Sequence, residues 1–122
     1  EILASVMLPK ASAGAPSAYA KSRIRGAIDF PVAGLAALLT LRGGTIEKLH
    51  IALTAVNPRP LLLAGTDAFI GAEVSDGMLD ELAELASTQA KPMITTTVSP
   101  WYRRRVIGAL ARRLVARLAQ SQ

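Results

Sequence analysis

The side chains best able to do chemistry in this chain are its arginines. Arg103, Arg104, Arg105, Arg112, Arg113 and Arg117 all fall within residues 101–122, a stretch without a carboxylate. Such a cluster can neutralise phosphates, face an acidic protein, or solvate one helix face while its stems cover apolar edges. Nucleic-acid recognition also needs aromatic stacking platforms or base-edge readers. Aromatic residues make up only 4% of the chain, and Trp101 and Tyr102 open the basic segment, where they are expected to anchor it to a core. The solvated or protein-facing reading is therefore preferred over nucleic acid. The one histidine, His50, has no ligand-spaced partners, and there is no cysteine. Thiolate metal sites, disulfides and Cys-ligated clusters are thereby excluded within the chain, as are triads that rely on several histidines. His50 is expected at the surface or an interface. Glu73, Asp76, Asp80, Glu81 and Glu84 could attract a divalent cation, but their spacing is that of a helix's polar face and lacks a calcium-loop pattern. No P-loop, dinucleotide fingerprint or nucleophile elbow is present.

These residues must be positioned by a small scaffold. The chain has 122 residues, 51% of them apolar, which fits one domain with its own core. The net charge of +5 comes from the terminal arginines, and the rest of the chain is close to neutral. No run reaches the roughly 18–20 apolar residues of a membrane span, and no secretory signal pattern is present. The chain begins Glu1-Ile2-Leu3, without an initiator Met, which suggests a processed product or a piece of a longer protein. The absence of cysteine fits a reducing cytoplasm.

Residues 1–9, β-branched and apolar and closed by Pro9, are expected to form a strand. Residues 10–18 read as a loop, and residues 19–28 carry no firm pattern. Residues 29–42 and 45–56 are expected to form a β-hairpin around Gly43-Gly44, since both glycines can take the positive φ of a primed turn. In the second arm Leu49, Ile51 and Leu53 alternate with polar or small residues, the pattern of a half-buried strand with His50 on the opposite face. The first arm alternates less cleanly. Asn57-Pro58-Arg59-Pro60 breaks the sheet, Leu61-Leu62-Leu63 fits a short strand, and Asp67 to Gly71 a turn or short helix. Residues 76–90 predict a helix capped by Ser75 or Asp76, with an apolar stripe of Leu79, Leu82, Ala83, Leu85 and Ala86. Lys91-Pro92 ends it, and residues 93–99 form an extended connector. Ser99-Pro100 starts a last helix to about Leu118, whose buried face is expected to hold Val106, Ile107, Leu110, Leu114 and Leu118. The expected class is α+β: a small antiparallel sheet with helices packed on one face.

Two segments carry more than this pattern. Residues 17–31, SAYAKSRIRGAIDFP, resemble the first segment of the C-terminal domain in flavoprotein subunits of the xanthine dehydrogenase and carbon monoxide dehydrogenase family. In that segment an aromatic residue, a Lys, one or more Arg and an Asp precede the hairpin; here these are Tyr19, Lys21, Arg23, Arg25 and Asp29. Residues 91–117 resemble the family's ending, with Pro92, Tyr102-Arg103-Arg104 and a second pair, Arg112-Arg113. Pro58-Arg59-Pro60 matches the Pro-Arg-Pro after the hairpin, and EILASVMLP resembles the strand leading in from the preceding domain. The Ala-Ile-Asp-Phe-Pro stretch is most similar to the 4-hydroxybenzoyl-CoA reductase beta-subunit type. One departure is Thr95-Thr96-Thr97, where many members carry an Asp.

The resemblance covers nearly the whole chain in order. It implies that residues 1–122 are one domain, the C-terminal domain of a longer FAD-binding subunit of a molybdenum hydroxylase. Its fold would be that of the carbon monoxide dehydrogenase flavoprotein C-terminal domain. An N-terminal domain would grip most of the FAD, and this domain would cap the flavin site and pack on subunits holding iron–sulfur clusters and the molybdenum cofactor. The resemblance places Lys21 and Asp29 at the flavin and implies no catalytic or metal-binding residue, so the domain would serve an oxidoreductase complex without being catalytic alone. Two other classes remain: a basic binding module for nucleic acid or an acidic protein, and a stand-alone interaction domain of this fold.

Overall fold

The computed structural model describes residues 1–26, 28–95 and 97–122. Four antiparallel strands form a meander, β1 (Ser17–Ser22), β2 (Ala33–Arg42), β3 (Thr45–Thr54) and β4 (Leu61–Leu62), in that spatial order. Two helices, α1 (Asp76–Gln89) and α2 (Pro100–Gln120), follow. They cover one face of the sheet, as the α+β expectation required.

The hairpin forms where two glycines permit it. Gly43 and Gly44 have φ of 59° and 84°, the left-handed pair that matches a primed turn to the twist of its strands. Leu35, Leu39, Leu49, Ile51 and Leu53 point inward and are fully buried. Ile46 is buried as well, although the alternation of Leu49, Ile51 and Leu53 would turn it outward. The pairing Thr40↔Lys48 is followed by Leu41↔Ile46, so Glu47 is an extra residue on β3. This bulge flips the register and returns Ile46 to the core.

The helices close over these side chains. Ser75 Oγ accepts the Met78 N–H at 3.2 Å, and Ser99 Oγ accepts that of Tyr102 at 3.2 Å, so each helix starts on the serine cap its sequence offers. Pro100 occupies the first turn of α2. Met78, Leu79, Leu82 and Ala86 of α1 meet Ile107, Ala111, Leu114, Val115 and Leu118 of α2 in one continuous core.

Four sequence expectations change. Residues 1–9 form no strand, and Ile2, Leu3, Val6, Met7 and Leu8 are exposed; their β-propensity finds no neighbouring ladder, without which a strand is not stable. A single 3₁₀ turn at Lys10–Ser12 interrupts the expected loop, and β1 arises from residues with no firm pattern. Leu110 and Val106 are only half-buried, because Ala111 and Val115 take the positions facing the core while Leu110 turns toward the sheet's edge. Trp101 and Tyr102 do not anchor α2; Trp101 is 64% exposed.

Candidate functional site

Most of the arginines have work inside the domain. Arg103 reaches from the first turn of α2 to three backbone carbonyls. Its Nε donates to Val32 O at 2.9 Å, one terminal nitrogen to Ala55 O at 2.6 Å and the other to Met93 O at 3.3 Å. One side chain thus ties together the start of β2, the end of β3 and the connector. Ala55 is held in the left-handed region, with φ of 65°, a conformation that a Cβ disfavours. The neighbouring Arg104 donates to Ala90 O at 3.2 Å, satisfying a carbonyl at the end of α1. Arg112 bonds Asp80 Oδ1 at 2.5 Å and Asp76 Oδ1 at 2.7 Å. That places carboxylates of the acidic stretch, on the first turns of α1, in a clamp between the helices. The Arg105 guanidinium stacks over the Trp101 ring at 4.9 Å from its centroid. Such use of the basic helix favours the structural and protein-facing reading over phosphate binding.

The structure brings Lys21 and Asp29 together. They line one open depression of about 280 Å³ with Arg23, Ile28 and Phe30. Lys21 projects from β1 on the sheet face away from the helices, paired with Gly34 of β2. Asp29 organises the loop that follows β1. Its Oδ2 accepts the Arg25 N–H at 3.0 Å, its Oδ1 accepts the Phe30 N–H at 2.9 Å, and the Arg25 side chain lies 3.7 Å away. The Arg25 backbone N–H, the Arg25 charge and the Phe30 N–H together hold this carboxyl below its ordinary range. The lining offers two cations, one carboxylate and an exposed ring, Phe30. It is too small and open for a whole dinucleotide, which needs a deep cleft and a phosphate cradle.

Beside this depression lies the outer face of the sheet. Cross-strand rows place Tyr19, Ala36, Ala52 and Leu62 in line, with Leu38 and His50 in the next row. These residues line a shallow basin of about 480 Å³. His50 is exposed there, on the face opposite Leu49, Ile51 and Leu53. Gly34 lets the Tyr19 ring lie down over the sheet, since a Cβ at this position would stand 2.8 Å from the Tyr19 hydroxyl and 2.4 Å from Thr54 Oγ1. The sequence reading missed this basin as a site. Its signal was the poor alternation of VAGLAALLTL: β2 is apolar or small on both faces, a pattern usual for strands covered on both sides.

The family model of the CO dehydrogenase flavoprotein C-terminal domain matches residues 17–118. The chain belongs to that family. It is 30% identical over 91 residues to the glyceraldehyde dehydrogenase medium chain of Sulfolobus acidocaldarius, covering 74% of this chain and 32% of the relative. Among solved structures, it resembles a reconstituted CO dehydrogenase from Oligotropha carboxidovorans with a TM-score of 0.82 and 27% identity, over 89% of this chain and 38% of that one. The carbon monoxide dehydrogenase from Hydrogenophaga pseudoflava, lacking the Mo-pyranopterin moiety of its molybdenum cofactor, gives a TM-score of 0.80 and 25% identity over the same shares. The chain thus spans about a third of the length of these relatives. Membership confirms the family resemblance and the fold expected from it. No helix among the described residues is long and apolar enough to cross a membrane.

Proposed function

We propose that this chain is the C-terminal domain of the FAD-binding subunit of a molybdenum-containing oxidoreductase, where it caps the flavin site and packs on partner subunits. The observation that carries the reading is the contrast between a finished inner sheet face and an apolar basin left open on the outer face beside the Lys21–Asp29 depression. The basin over Tyr19, Ala36, Ala52 and Leu62 would meet the N-terminal part of the same subunit, which would grip the FAD phosphates. The exposed apolar segment 1–9 would run as a strand into that part.

Lys21 and Asp29 are the proposed flavin-facing residues. The bound flavin would supply the redox chemistry, and this chain would supply position and field. The Lys21 ammonium, in the wall of its depression, would stabilise negative charge at the edge of the reduced ring. Asp29 would hold the loop that carries Ile28 and Phe30 and temper that positive field. Iron–sulfur and molybdenum-cofactor subunits would be the partners, in the cytoplasm. The Ala27-Ile28-Asp29-Phe30-Pro31 stretch supports a 4-hydroxybenzoyl-CoA reductase type within the family.

The chain has no cysteine, so Leu62→Cys places a single thiol on the outer face. In this chain alone a maleimide should label it quickly. In the full-length subunit the same thiol should be shielded and label many times more slowly. Equal labelling in both would overturn the capping geometry.

A further inference from the structure

Strand β1 lies at the edge of the sheet with one side of its ladder unused. Leu39 donates its N–H to Pro16 O at 3.1 Å, and β1 pairs with β2 in continuous antiparallel register from Ser17↔Leu38 onward. Backbone groups alternate in direction along such a pair. The N–H and C=O groups of Ala18 and Ala20 therefore face β2, and those of Ser17, Tyr19 and Lys21 face outward. Among the described residues no strand pairs with them.

On the helix side of this edge, a groove of about 560 Å³ lies along α2 and reaches β1 at Ser22. Trp101, Val106, Ala109 and Leu110 give it an apolar wall, with Arg105 and Arg113 along its length. Neither arginine has a carboxylate partner among the described residues. An exposed Trp and unpaired Arg beside an apolar floor are the residue types that carry most binding energy at interfaces. The spacing is also informative. Arg105 and Arg113 are separated by eight helical steps, about 12 Å along the axis. Two residues four apart on an extended strand are separated by about 13 Å.

We propose that the β1 edge and this groove form one docking site for an extended segment of an acidic partner protein. The segment adds a strand to β1 through the outward groups of Ser17, Tyr19 and Lys21. On its groove-facing side it carries a carboxylate, an apolar residue two positions on and a second carboxylate two further. The carboxylates meet Arg105 and Arg113, and the apolar side chain sits on Leu110 and Val106. Hydrogen bonds to the edge supply affinity, and the side-chain pattern supplies selectivity. This site lies on the helix side of the sheet and needs no flavin, so its test is independent of the capping reading.

The probe is a blocked heptapeptide with glutamate, leucine and glutamate at its second, fourth and sixth positions and threonine elsewhere. Trp101 is the only tryptophan, so its emission reports on the groove. The expected result is a saturable emission change, with slower amide exchange at Ser17, Tyr19 and Lys21 in the bound form. Arg105→Glu combined with Arg113→Glu should weaken binding about tenfold or more while leaving the circular dichroism unchanged. Should that double variant fail to fold, Arg113→Gln alone should still weaken binding severalfold. Four results would overturn the proposal: no saturable emission change at millimolar peptide, equal affinity for a peptide with lysine in place of glutamate, unaltered exchange at the β1 amides, or a concentration-dependent dimer of this chain abolished by the arginine variants. The last would assign the edge to a second copy.

Discussion

The two faces of the sheet have opposite fates. The inner face, with Leu35, Leu39, Leu49, Ile51 and Leu53, is sealed by α1 and α2. The outer face, with Tyr19, Ala36, Leu38, Ala52 and Leu62, is open. Antiparallel sheets of single domains commonly bury one face and give the other polar side chains. Here the outer face does carry Ser17, Lys21, Lys48 and His50, but an apolar basin stays open among them, while the inner face carries the core.

That division can be broken by substitution. Leu53→Ala should destabilise the chain by about 2–5 kcal/mol in urea unfolding, the range for a fully buried leucine. Leu62→Ala, at a site 65% exposed, should cost below about 1 kcal/mol, since little apolar area returns to water. Similar losses at both positions would mean that the outer face also contributes to folding. A smaller effect separates the arginines of α2. Arg103→Met strands the Val32, Ala55 and Met93 carbonyls and should cost about 2–3 kcal/mol. Arg113→Met should stay within about 0.5 kcal/mol in the isolated chain. Equal effects would reject Arg103 as the clamp of this end of the domain.

The smallest effect is local and pH-dependent. The folded Asp29 carboxyl is held below its ordinary value by the Arg25 N–H, with further help from the Arg25 charge and the Phe30 N–H. Its contribution is therefore complete above the unfolded aspartate pKa of about 3.9. It is lost as pH falls through the depressed folded value. Protection of the Arg25 and Phe30 amides against exchange, corrected for intrinsic rates, should collapse at that lower pH. In Asp29→Asn the carboxylate step should vanish. Persistence of the step in the variant would assign it to another group.

Much of the fold was legible because local rules and tertiary packing agreed. Gly43-Gly44, Ser75 and Ser99 marked the turn and caps by their own chemistry, and the period of Leu49, Ile51 and Leu53 named the buried face. What was missed depended on distant partners. The bulge at Glu47, which buries Ile46, follows from pairing across the hairpin. The burial of Ala111 in place of Leu110 follows from how α2 sits against α1 and β1. Residues 1–9 have a strand's composition, but a strand needs a neighbour, and composition does not say where that neighbour is. The candidate site divided in the same way. Family resemblance selected Lys21 and Asp29, and the fold set them in one depression. The neighbouring basin was signalled only by an apolar pattern on both faces of β2. Arg103 read as one more surface cation until the carbonyls it gathers were placed around it.

In the proposed role, this domain presents Lys21 to the edge of a flavin held by the rest of its subunit. Lys21→Met keeps most of the side chain and removes the charge. A redox titration of the flavin in the assembled complex should then show a lower potential, because the reduced ring loses a stabilising cation. A shift of about 30 mV would correspond to about 1.4 kcal/mol for a two-electron couple. A flavin potential identical to that of the unaltered complex, with the variant folded and assembled, would contradict the claim.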